Sequence, residues 1–173
     1  IETRRANLPA VLSLIGQILR EPALAPDEFE LLRRQRLAQF ETQLTDPQML
    51  AVLAVRRKVS PYPADDVRYI PTVEEEIERA NQATPQQVRE LYEKFVGAQA
   101  GELAMVGDFD AAEVASQFGG LVSGWVSAEP YERIPRIAFT EVPASLEEIL
   151  TPDKANAVYV AGLAFEMRDD NPL

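Results

Sequence analysis

Thr84-Pro85-Gln86-Gln87-Val88-Arg89-Glu90-Leu91-Tyr92-Glu93-Lys94-Phe95-Val96-Gly97, followed by Leu103-Ala104-Met105-Val106-Gly107-Asp108-Phe109-Asp110, is the stretch on which the fold reading turns. Thr84 has an N-cap side chain, Pro85 sits where its missing N–H costs nothing, and Gln87 is placed to close a capping box. Val88, Leu91, Tyr92 and Phe95 share one helical face, and Gly97 reads as the stop. Residues 103–106 form an apolar run of strand length. Gly107-Asp108-Phe109 turns the chain, and Asp110 with Glu113 reads as a second box opening another helix. The unit predicts helix, strand, turn, helix.

Upstream, Leu8, Val11, Leu12, Ile15, Ile18 and Leu19 make a helical stripe with Asn7 as its cap, ended by Glu21-Pro22. Pro26-Asp27-Glu28 starts a second helix with acids in its first turn. Phe29, Leu32, Leu37, Phe40 and Leu44 supply its apolar side, and Arg33, Arg34 and Arg36 its solvated face. Asp46-Pro47 breaks the pattern, and a third helix is expected over about 48–58. Thr72 and Glu75 form a further capping box. Glu74, Glu75, Glu76 and Glu78 read as a solvated, dipole-favoured first turn rather than a cation site. Downstream, Gly119-Gly120 and Gly124-Trp125 end regular structure. Residues 126–153 have the proline content of a linker with short strand-like pieces such as 134–139. Residues 157–163 read as a buried strand.

The chain has 173 residues and is 46% hydrophobic, enough for a globular core. Its 17 basic and 28 acidic residues give a net charge of −11, which argues against nucleic acid and against an anionic membrane surface. Histidine and cysteine are both absent. That excludes a Ser-His-Asp triad, a thiolate nucleophile and a His- or Cys-based metal site made by this chain alone. Tyr62, Tyr92, Tyr131 and Tyr159 have no basic neighbour at a telling spacing and read as packing residues. The loop 107–110 is too acidic to cradle a phosphate. No window has the length of a transmembrane helix and no signal peptide is visible. The first residue is Ile1 and the last Leu173, so the chain reads as a piece of a longer protein.

Residues 71–77 (Pro71-Thr72-Val73-Glu74-Glu75-Glu76-Ile77), 84–92 and 103–110 resemble, in order and spacing, the pitrilysin/insulinase family of zinc metallopeptidases. Residues 29–44 with Asp46-Pro47 are similar to that family's long helix and its break. Thr151-Pro152-Asp153-Lys154-Ala155-Asn156-Ala157, with Met167-Arg168-Asp169-Asp170-Asn171-Pro172 beyond it, looks like the entry to a next domain. The resemblance implies an α+β fold with helices packed on one face of a mostly antiparallel sheet, here an incomplete domain. Residues 1–125 would be the later part of one domain, 126–153 the linker and 154–173 the truncated start of a second.

Members of that family bind zinc through His-x-x-Glu-His and a Glu from a later helix. The zinc polarises the scissile carbonyl and activates water. Here the first motif is absent, and counting back from Asp46-Pro47 puts the third-ligand slot at Gln39, a poor ligand beside a carboxylate. Glu41 is the nearest carboxylate but falls on the wrong face. The resemblance therefore implies a segment from the half without zinc, with no catalytic, cofactor-binding or metal residue of its own. Such a segment would form chamber wall, bind peptide and close against a catalytic half or homologous subunit that carries the zinc. The acidic balance would favour basic peptides. A structural or partner subunit without turnover is the alternative. A bacterial parent would be periplasmic or secreted.

Overall fold

A computed structural model describes residues 1–151 and 154–165. The stretches 152–153 and 166–173, including the expected loop at 167–172, lie outside the described residues. A 3-10 turn, Arg5–Asn7, leads into α1 (Leu8–Arg20), then α2 (Pro26–Gln43), α3 (Pro47–Val59), α4 (Val73–Gln82), α5 (Pro85–Phe95) and α6 (Ala111–Val122). The α+β expectation is corrected: among the described residues the regular structure is entirely helical and there is no sheet.

The two expected strands show why. Leu103 is 49% exposed and Val106 is 99% exposed, and the main chain of 102–106 has no hydrogen-bond partner among the described residues. Residues 157–163 also lack regular structure, with Tyr159 and Leu163 exposed. A strand exists only when a neighbour completes its ladder of N–H and C=O groups. An apolar run supplies the preference for extended backbone but not that neighbour.

The helix starts follow from local chemistry. The Thr84 hydroxyl accepts from Gln87 N at 3.2 Å and Gln87 Oε1 accepts from Thr84 N at 2.8 Å, a complete box. Thr72 and Glu75 close the same box on α4, at 3.2 and 2.7 Å. Asp46 caps α3 by accepting from Met49 N at 3.0 Å. Two expected caps are weaker. Asp110 accepts from Glu113 N at 2.9 Å without the reciprocal bond, and the Asn7 side chain makes no cap bond. Gly119 and Gly120 do not end α6, which runs on to Val122. Gly124, with φ of +67°, is the glycine that a left-handed C-terminal stop requires.

The described chain forms two compact units. The first combines Ile1–Phe29 with Thr84–Arg133. Its core is the contact of α1 with α6, where Leu12 and Val114 are buried and Gly16 lies against Leu121. Polar bonds lock this pair. Gln117 Nε2 donates to the Pro9 carbonyl at 2.7 Å. Arg20 Nη1 donates to the Leu121 and Ser123 carbonyls at 3.1 and 3.0 Å, satisfying the last turn of α6. Among the described residues, Tyr92 is the α5 residue that joins this arrangement through a hydrogen bond, its hydroxyl donating to the Leu19 carbonyl. The rest of the predicted apolar face of α5 is uncovered, with Leu91 and Phe95 more than half exposed.

Gly97 has a different role from the expected one. Its φ is not positive. A Cβ there would fall 2.4 Å from Ser127 N, so the position is glycine because residues 125–127 cross it closely. Ala98 N donates to the Trp125 carbonyl at 2.8 Å and Glu129 N to the Lys94 carbonyl at 2.9 Å, tying that segment to the end of α5.

The second unit combines Glu30–Ala83 with Ile134–Leu173. Its buried apolar residues, among those described, are Phe40 from α2 and Val73 from α4. Arg57, near the end of α3, donates to the Ile70 carbonyl, to Tyr69 Oη at 3.3 Å and to Glu75 Oε2 at 3.4 Å. These bonds fasten α3 to the loop that feeds α4.

Candidate peptide-contact site

The most organised polar group of the second unit begins with a turn. Asp66 accepts from Arg68 N at 2.8 Å, from Arg68 Nε at 2.8 Å and from Arg68 Nη2 at 2.6 Å. Asp side chains bond to backbone two residues ahead readily, so the turn is local; the guanidinium fork then makes it rigid. The Arg68 side chain, and after it the Arg68 backbone N–H, holds the Asp66 carboxyl at about 2, well below the usual carboxylate range. The same pairing raises the Arg68 guanidinium further above its ordinary value.

Arg68 is thereby aimed at other residues. Its guanidinium lies over the Tyr62 ring, 4.3 Å from the centroid, and Nη1 donates to the Pro135 carbonyl at 2.9 Å. Tyr62 continues the line. Its hydroxyl accepts from Ile137 N at 3.0 Å and donates to the Ile137 carbonyl at 3.4 Å. Its ring meets Phe139 edge-on, with centroids 4.9 Å apart. The contacts fall at 135, 137 and 139, the period-two pattern of an extended chain. Two side chains thus hold a segment mainly through its main chain, without reading its sequence. Tyr62 is a packing residue, as expected, and its partner lies in the segment 126–153. Asp66 and Arg68 were not singled out by sequence reasoning, although their i, i+2 spacing is a recognisable turn signal.

The glutamate run resolves into separate roles. Glu75 is the capping-box acceptor and also takes the Tyr69 hydroxyl at 2.9 Å. The Thr72 N–H, then the Tyr69 hydroxyl, and more weakly Arg57 lower its pKa. Glu78 accepts from Gln82 Nε2 at 3.0 Å. No group of three or more His, Cys, Asp or Glu residues among the described residues is arranged to hold a metal.

Gln39 is exposed on α2, and its Oε1 accepts from Arg36 Nη1 at 2.9 Å. A guanidinium on the amide oxygen is the opposite of a cation site. Glu41, two residues on, is exposed and does not face Gln39. These residues do not fit a zinc ion. No helix among the described residues is long and apolar enough to cross a membrane.

No known protein family, curated protein or solved structure matches this chain.

Proposed function

We propose that this chain is a non-catalytic segment of a zinc endopeptidase assembly. It forms wall and holds extended polypeptide, while the zinc chemistry belongs to a catalytic half or a homologous subunit. The observation that carries this reading is the Tyr62–Arg68 arrangement, which grips residues 135–139 chiefly through backbone groups. Sequence-independent holding of extended chain is what a peptidase wall needs, since a main-chain grip accepts many substrates. The resemblance of 71–77, 84–92 and 103–110 to the pitrilysin/insulinase family supplies the reaction class. The uncovered apolar side chains of both units, such as Leu91, Phe95, Leu146 and Leu163, support assembly with further protein.

The test is zinc stoichiometry by equilibrium dialysis together with turnover of a quenched fluorescent peptide. The chain is expected to hold no stoichiometric zinc and to cleave nothing. Tight zinc binding that is lost in Gln39→Ala or Glu41→Ala overturns the reading. A scaffold subunit without peptide binding is the second reading, favoured by the same uncovered apolar faces. It predicts association with a partner chain but no affinity for extended peptides.

A further inference from the structure

The second unit has a groove of about 400 Å³, within the size range of ligand sites. Phe40, Leu53, Ile70 and Val73 give it an apolar lining. Its charged lining residues are Arg36, Arg56, Arg68 and Glu76, and this composition runs against that of the chain, whose net charge is −11. Arg68 is neutralised by Asp66. Arg36 is stacked on Phe40 at 4.6 Å and bonded to the neutral Gln39 amide, so its charge is not cancelled. The Arg56 guanidinium makes no hydrogen bond or ion pair with the described residues, while its backbone carbonyl accepts from Ser60 N at 3.1 Å. Its place in the last turn of α3 suits the helix dipole, and that leaves its donors available. Two uncancelled guanidiniums thus border an apolar floor, against one carboxylate.

We propose that this groove binds an acidic stretch of a partner polypeptide, with carboxylates meeting Arg36 and Arg56 and flanking apolar side chains entering over the half-buried Leu53 and Ile70. The inference rests on the reading that the chain holds polypeptide. It adds a selectivity opposite to the one net charge suggests. An overall acidic protein repels acidic ligands at long range, but within a Debye length of about 8 Å at physiological salt the local guanidiniums decide. Guanidinium forks suit carboxylates in particular.

The experiment measures fluorescence anisotropy with labelled Leu/Ala peptides that carry Glu, Gln or Lys at the same positions. The Glu peptide is expected to bind about 5- to 10-fold tighter than the Gln peptide, and the Lys peptide weakest, from two partly exposed ion pairs. Arg36→Gln and Arg56→Gln, both at exposed positions, are each expected to cut the Glu-peptide affinity about threefold and leave Gln-peptide affinity unchanged. Arg89→Gln, on the other unit, is expected to change neither. Equal binding of the Glu and Gln peptides overturns the inference while leaving polypeptide holding intact. An Arg89→Gln loss as large as that of Arg56→Gln also overturns it, because the preference would then be general electrostatics. Absence of binding by all the peptides overturns both readings.

Discussion

Gly97→Ala tests whether close approach, and not helix termination, accounts for this glycine. The new Cβ would sit 2.4 Å from Ser127 N, 3.1 Å from Val126 C and 2.3 Å from Gln99 Oε1. The Gln99 amide can swing away, but only by giving up its bond from Ser127 N at 3.2 Å. The Ser127 backbone has no such freedom, because that residue is buried and its hydroxyl donates to the Glu129 carbonyl at 2.5 Å. Overpacking of this kind costs about 1–3 kcal/mol, and each hydrogen bond lost with it about 1 kcal/mol. The expected loss is therefore about 2–4 kcal/mol. Trp125 is the single tryptophan and its carbonyl accepts from Ala98 N at 2.8 Å, so it reports on this segment directly. Urea unfolding followed by Trp125 emission should show a lower midpoint and a red-shifted native spectrum. Gly101→Ala is the control, since a Cβ there meets nothing closer than 3.5 Å. A Gly97→Ala protein within about 0.5 kcal/mol of the parent, with unchanged emission, refutes the reasoning.

Gly119→Ala and Gly120→Ala are expected to stabilise the first unit by up to about 1 kcal/mol each, because both are helical and a Cβ at either meets no atom within 4 Å; a lowered urea midpoint would contradict this. The Asp66–Arg68 turn sets an acid limit on the Tyr62 contacts. Asp66 moves from 3.8 to about 2 on folding, so its contribution is full above 3.8 and is lost as pH falls through about 2. NMR signals of the Arg68 backbone and Nε protons should shift together with a midpoint near 2, and Asp66→Asn should abolish that step; a midpoint at the ordinary carboxylate value would dissolve the turn as described.

Helix boundaries were legible because their chemistry is local. The boxes at Thr72–Glu75 and Thr84–Gln87 each span four residues and form as the residue types dictate, whereas Asp46, read only as part of a break, caps α3. The lack of a sheet among the described residues was not legible because strand pairing is non-local: residues 103–106 carry the composition of a strand and meet no partner among the described residues. α5 does end just before Gly97, but the reason for the glycine was hidden in the same way, since its constraint comes from Ser127. Gly119 and Gly120 were read as breakers, yet α6 continues past them, with Val114 buried before them and Leu121 packed against Gly16 after them. In the candidate site, Tyr62 and Ile137 are 75 positions apart, and nothing near either residue signals the other. Only the Asp66–Arg68 turn had a local signature.

The proposed function has this chain hold extended polypeptide without cleaving it. Its most direct test is to incubate the chain, with added zinc, with a mixture of unstructured peptides, then separate chain from free peptide and analyse both fractions by mass spectrometry. The peptides are expected at full length and retained with the chain, with retention reduced in Tyr62→Phe. Cleaved peptides in the presence of zinc, or no retention at all, would contradict it.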